Sequence, residues 1–134
     1  MMNVEMQTIN QKIAERYLKI YYPSIRNEIS QLSAQNNFPG IIQATINHLK
    51  SLLQESKTTI VARNIKVMEW LYRNGNSYLK QIIENLFISS FESLKRNSDP
   101  EQWSTLYQYM PLKFQEIHLA QIKQYEVITN KKHF

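Results

Sequence analysis

Three histidines, one carboxylate beside an apolar arc and one tryptophan among cations are the side chains of this chain that invite a chemical reading. His48, His118 and His133 are its only imidazoles. No pair is spaced three or four residues apart, so no helical face offers two imidazoles to a metal. Glu116 precedes His118 by two residues and therefore points to another side of a helix. His48 lies at the rim of an apolar helical face and reads as a core-edge histidine. Glu84 lies near the edge of a buried arc, and the sequence names no partner for it. The absence of Cys excludes thiol catalysis, disulfides and thiolate metal sites. Glycine occurs only at positions 40 and 75, which allows neither a phosphate-binding loop nor a nucleophile elbow. The expectation is a non-enzymatic protein with no catalytic residue, no metal and no cofactor. An enzyme is the second alternative, and it would need a deep polar pocket around Glu84 or His48.

One constellation departs from plain amphipathicity. On a helix over about Thr59 to Asn74, projected at about 100° per residue, Ile60, Val61, Ile65, Val67, Met68, Leu71 and Tyr72 occupy one broad side. Arg63, Lys66, Trp70 and Arg73 fall on the opposite side, within about 80° of each other. Indole supplies contact area, and cations supply steering and directed hydrogen bonds. Against a protein this set is an anchor with a basic rim. Against nucleic acid it stacks on a base and holds phosphates. The competing reading is structural: Trp70 packs under a neighbouring helix and a flanking Arg stacks on its ring. Trp103, Tyr107, Tyr109 and Phe114 form a second aromatic segment. Tyr107 and Tyr109 cannot both face the core of one regular helix.

The elements that must position these groups are all helical, because apolar residues recur at helical spacing almost from end to end. A first helix is expected over about Val4 to Tyr22, with Met6, Ile9, Ile13, Tyr17 and Ile20 as its stripe, ended by Pro23. A short second helix carries Ile25, Ile29 and Leu32. Phe38-Pro39-Gly40 is a break, and a third helix spans about Ile41 to Glu55 with Ile42, Ile46, Leu49 and Leu53 inward. Ser56-Lys57-Thr58 offers a hydroxyl cap to the fourth helix, and Gly75 closes that helix in the left-handed conformation. A fifth helix over about Ser77 to Asn97 has the widest apolar arc and is expected to be the most buried. Asp99-Pro100-Glu101 starts a sixth helix, with Asp99 as N-cap and Pro100 at the first helical position. Pro111 resets the chain for a last helix to about Ile128, and Thr129 to Phe134 reads as a frayed tail. The fold class is thus all-α: one domain over residues 1–134, a bundle of six or seven helices with no sheet. Leu18, Tyr21, Pro23, Glu28 and Ile29 recur at the same spacing as Leu106, Tyr109, Pro111, Glu116 and Ile117. Those matches are too few to make a repeat protein.

Sixteen Lys and Arg against eleven Asp and Glu give a formal charge of +5, spread thinly along the chain. A basic balance favours acidic partners but is also met by a solvated mixed-sign surface. No run approaches the ~18 apolar residues that a membrane helix needs, the start of the chain has no signal core, and a cytoplasmic location without membrane contact is expected.

Ala62-Arg63-Asn64-Ile65-Lys66-Val67-Met68-Glu69-Trp70-Leu71-Tyr72, Asn74-Gly75-Asn76 and Ile83-Glu84-Asn85-Leu86-Phe87-Ile88-Ser89-Ser90-Phe91, with Trp103 and Pro111 beyond, resemble a family of small all-helical bacterial proteins, a domain of unknown function. The resemblance runs from Ala62 to about Gln124. It implies a bacterial, cytosolic, helical protein and brings no catalytic residues. The leading expectation is a protein-interaction module, of which an immunity or antitoxin-like protein is one form. The charge argues against an inhibitor of a basic nuclease, which needs an acidic face. The first alternative is nucleic-acid binding through Arg63, Lys66 and Arg73, although the sequence carries no helix-turn-helix signature. Exposed aromatics are compatible with a homodimer, and nothing in the sequence specifies one.

Overall fold

The computed structural model describes residues 8–131. The expected helical residues Val4 and Met6, and His133 near the other end, lie outside them. Among the described residues eight α-helical segments follow one another: α1 (Gln11–Tyr21), α2 (Arg26–Ala34), α3 (Phe38–Gln54), α4 (Thr58–Asn74), α5 (Ser77–Ile82), α6 (Phe91–Arg96), α7 (Pro100–Gln108) and α8 (Leu112–Lys131). A 3-10 turn at Pro23–Ile25 leads into α2. A π turn (Ile83–Phe87) and a 3-10 turn (Ile88–Ser90) join α5 to α6 in one continuous rod. The described residues thus form an all-helical bundle without a sheet.

Four helices start on side-chain caps that the sequence supplies. Asn10 accepts from the Ile13 N–H at 3.0 Å, Asn37 from Gly40 at 2.9 Å, Asn76 from Leu79 at 2.9 Å and Asp99 from Gln102 at 2.7 Å. Each satisfies a backbone donor that has no partner inside its own helix. Asn37 and Pro39 make the expected break at Phe38-Pro39-Gly40 the first turn of α3 itself. No hydroxyl caps α4. Lys57 occupies the N-cap without a side-chain bond, and Thr58 Oγ1 accepts instead from Gln102 Nε2 of α7 at 2.9 Å.

Left-handed helix ends occur, but not at Gly75. Asn36 (φ 55) and Ser56 (φ 61) take that conformation. The following N–H groups of Asn37 and Lys57 reach back to the carbonyls of Leu32 and Leu52, both at 2.9 Å, which closes α2 and α3. Gly75 is extended (φ −87, ψ 160) because it takes part in a single parallel bridge. Ile9 donates to the Asn74 carbonyl and accepts from the Asn76 N–H, each at 2.8 Å. Residues 8–10 are therefore a strap across the α4–α5 link and not the first helix, which begins at Gln11. Glycine is needed at 75 for space. A Cβ there would stand 2.6 Å from the Leu71 carbonyl oxygen and 2.7 Å from Leu79 Cδ2. Gly75→Ala is expected to lose about 1–3 kcal/mol by overpacking, read from the urea midpoint. An unchanged midpoint would show that the strap yields freely.

Side-chain burial corrects two expectations. The first helix turns Ala14, Leu18 and Tyr22 inward, while Ile13 and Tyr17 are only half-buried and Ile20 is 64% exposed. The most enclosed element is α3 and not the 77–96 rod. Beside Ile42, Ile46, Leu49 and Leu53, α3 also buries Phe38, Ile41 and Leu52 on a second stripe. Small Ala44 and Thr45 let its neighbours close in, and the Thr45 hydroxyl is satisfied by the Ile42 carbonyl at 2.6 Å. The rod packs Leu79, Ile83, Phe87 and Phe91 into the core. A spacing of four drifts about 40° per step around a regular α-helix. The wider π turn, closed by the Ile88 N–H on the Ile83 carbonyl, takes up part of that drift. Helix α8 docks through Phe114 and continues to Lys131; the rest of the expected frayed tail lies outside the described residues.

Candidate functional site

The fourth helix buries Val61, Asn64, Ile65, Met68, Leu71 and Tyr72 and leaves Arg63, Lys66 and Trp70 outward. These three side chains meet in one place. With Val67 they form one bank of a groove of about 510 Å³, whose other bank is Tyr17 and Tyr21 of α1. Trp70 is 36% exposed, so its ring is neither enclosed nor free. The Tyr17 ring stands edge-on to the indole at 5.0 Å and lies parallel to Tyr21 at 6.4 Å. Edge contacts of this kind hold a ring in place while leaving a face open.

Arg73 does not join them. Its Nε and Nη2 donate to the two carboxylate oxygens of Glu69 at 3.2 and 3.1 Å, a bidentate pair one helical turn apart. Arg63 and Lys66 have no carboxylate within ion-pair distance among the described residues. Their charge is therefore available to a ligand, whereas Arg73 already holds a carboxylate on its own helix. Tyr17 and Tyr21 are the residues that spacing along α4 could not reveal. Their signal was an apolar stripe on α1 wider than one packed face requires.

The other candidates are tied into the framework. The His48 ring packs edge-on to Tyr22 at 6.2 Å, and partial burial lowers its pKa. Glu84 sits in the π turn and accepts a 2.5 Å bond from the Tyr72 hydroxyl. Burial, reinforced by that carboxylate, pushes the Tyr72 phenol up to about 12. His118 is buried, with Nε2 2.9 Å from Glu92 and Nδ1 3.1 Å from the Tyr107 hydroxyl. A neutral ring with the carboxylate at Nε2 carries its proton there and accepts from Tyr107 at Nδ1. The chain Tyr107–His118–Glu92 thus links α7, α8 and α6. Its partners lie 11 and 26 residues from His118, so no local spacing announces it. Tyr109, the other tyrosine of that segment, is 64% exposed.

No helix among the described residues is long and apolar enough to cross a membrane. No curated protein and no solved structure matches the chain. A family model described as a domain of unknown function, DUF7674, matches residues 15–126, from the first helix through most of α8 and including every residue of the groove. The chain belongs to that family, DUF7674, whose function is unknown.

Proposed function

We propose that this chain is a non-enzymatic protein-interaction module of a bacterial cytoplasm, and that the groove between α1 and α4 is its binding face. The observation that carries this reading is Trp70, a third exposed and held edge-on by Tyr17, beside two cations that have no carboxylate partner among the described residues. Binding energy concentrates on such aromatic anchors, and unpaired cations at their rim steer acidic partners. The lack of Cys fits a reducing compartment. An immunity or antitoxin-like role is one form that such a module takes.

The test places p-benzoylphenylalanine in place of Tyr21 and irradiates the protein in a lysate of its source. A partner protein is expected to crosslink, to survive nuclease treatment and to disappear in Trp70→Ala. The same photo-residue in place of exposed Lys95 should yield no such adduct. Trp70→Ala is expected to cost about 2 kcal/mol, less than the ~3–5 kcal/mol of an enclosed ring, so the variant stays folded. An adduct indifferent to Trp70→Ala would overturn the reading.

A second reading, single-stranded nucleic acid, is favoured by the three π faces of Tyr17, Tyr21 and Trp70 beside Arg63 and Lys66. It requires an oligonucleotide affinity that falls with salt at a log–log slope of about −1.4 for two phosphates.

A further inference from the structure

Arg63 and Lys66 line two grooves. Besides the one shared with α1, they border a second of about 380 Å³ on the other side of α4, where Leu106 of α7 and Tyr109 at its C-cap form the far bank. The two cations are thus a ridge with an aromatic wall on each side, Tyr21 at 49% and Tyr109 at 64% exposure. Among the described residues no acidic one lines either groove. Tyr21 and Tyr109 also occupy matching positions in the sequence echo, each one helical turn after a buried leucine (Leu18, Leu106) and two residues before a proline. The same local pattern thus ends α1 and α7 with an outward tyrosine on either side of α4.

The charge changes sign beyond the second groove. Thr58 and Thr105 are shared with a third hollow, lined also by Asp99 and Glu101. An unbroken polyanion following the grooves towards α7 would run onto those carboxylates.

We propose that the α4 face takes an acidic segment of a partner protein that straddles the Arg63–Lys66 ridge. Its carboxylates lie over the two cations, and an aromatic or large apolar side chain enters each flanking groove. The end over Asp99 and Glu101 is neutral or basic. This rests on the protein-interaction reading above. The grooves are separated by the width of one helix, about 10 Å, which three extended residues or two helical turns span.

The probes are a random copolymer of glutamate and tyrosine, polyglutamate of equal length, and single-stranded oligothymidylate. Each is titrated into the Trp103→Phe protein, in which Trp70 is the one remaining indole. The copolymer is expected to perturb Trp70 emission and to half-saturate at about a tenfold lower concentration than polyglutamate. Tyr21→Ala and Tyr109→Ala, both at exposed positions, should each weaken it about fivefold without moving the thermal midpoint. Joint Arg63→Ala and Lys66→Ala should weaken it at least about tenfold, and Lys95→Ala should not. Equal binding of copolymer and polyglutamate, indifference to Tyr109→Ala, tighter binding of the oligonucleotide, or no binding would each overturn the proposal. If it fails while the Trp70-dependent crosslink from position 21 persists, the straddling segment is wrong and the interaction module stands. If the crosslink is also lost, both fall.

Discussion

Phe114→Ala is expected to destabilise the protein by about 3–5 kcal/mol. The ring is fully buried, where α8 meets the rest of the bundle. It stands edge-on to Tyr72 at 5.8 Å and tilted against Phe87 and Phe91 at 6.1 and 6.2 Å. Truncation removes its apolar burial and three aromatic contacts, and it leaves a cavity that surrounding rings are too rigid to fill. Domains of this size hold about 5–15 kcal/mol in total, so the loss is a large share. A fall in thermal midpoint of about 10–20 °C is the expected reading. Leu119→Ala on the same helix, 57% exposed, should change stability by no more than about 0.5 kcal/mol. Similar small losses for both variants would mean that α8 does not dock through Phe114.

The second large effect is alkaline unfolding. Tyr22 is fully buried and donates to the Asn64 carbonyl at 3.1 Å, and burial pushes its phenol far above the ordinary value of 10. Tyr72 is pushed up to about 12. In the unfolded chain both ionise near 10. Above that pH the unfolded chain releases protons that the folded protein still holds, so stability falls as pH rises. The stabilisation is fully present below pH 10 and declines above it. Each group contributes a limiting slope of about 1.4 kcal/mol per pH unit, and because both unfolded phenols are half ionised at pH 10 and Tyr72 begins to ionise in the folded protein near 12, the two together remove about 4 kcal/mol between pH 10 and 12. Urea midpoints through that window should show the decline. Tyr22→Phe should roughly halve the slope, while costing about 0.5–1.5 kcal/mol at neutral pH, because the Asn64 carbonyl loses the tyrosine hydroxyl but stays in the hydrogen-bond ladder of α4. A midpoint independent of pH up to 12 would contradict the enclosed hydroxyls.

Local chemistry made most of the fold legible. Asp99-Pro100 starts α7 where the residues say it must, since a cap and a ring with fixed φ act within one turn. What was not legible depends on distant partners. Gly75 looks like a left-handed helix end, but Ile9, 66 positions earlier, draws it into an extended bridge. The inward side of α1 is set by which of two apolar stripes the other helices cover, so Leu18 and Tyr22 are buried and Ile20 is not.

The candidate site divides in the same way. Arg63, Lys66 and Trp70 share one helix, and their grouping follows from helical geometry alone. Glu69 precedes Arg73 by four residues, the order that favours pairing, and this removes Arg73 from the face. Tyr17, Tyr21 and Tyr109 arrive from other helices, and only the packed bundle sets them beside the cations. His118 meets Glu92 and Tyr107 for the same reason, instead of its sequence neighbour Glu116.

The most direct measurement of the central claim is collisional quenching of Trp70 in the Trp103→Phe protein. An accessible indole flanked by cations must be quenched by acrylamide and, with each ion's constant taken relative to free N-acetyltryptophanamide, more strongly by anionic iodide than by cationic caesium. Joint Arg63→Ala and Lys66→Ala should remove the preference for iodide and leave acrylamide quenching intact. An indole that acrylamide does not reach, or one that iodide and caesium quench alike in the unsubstituted groove, would contradict an open, cation-flanked binding face on α4.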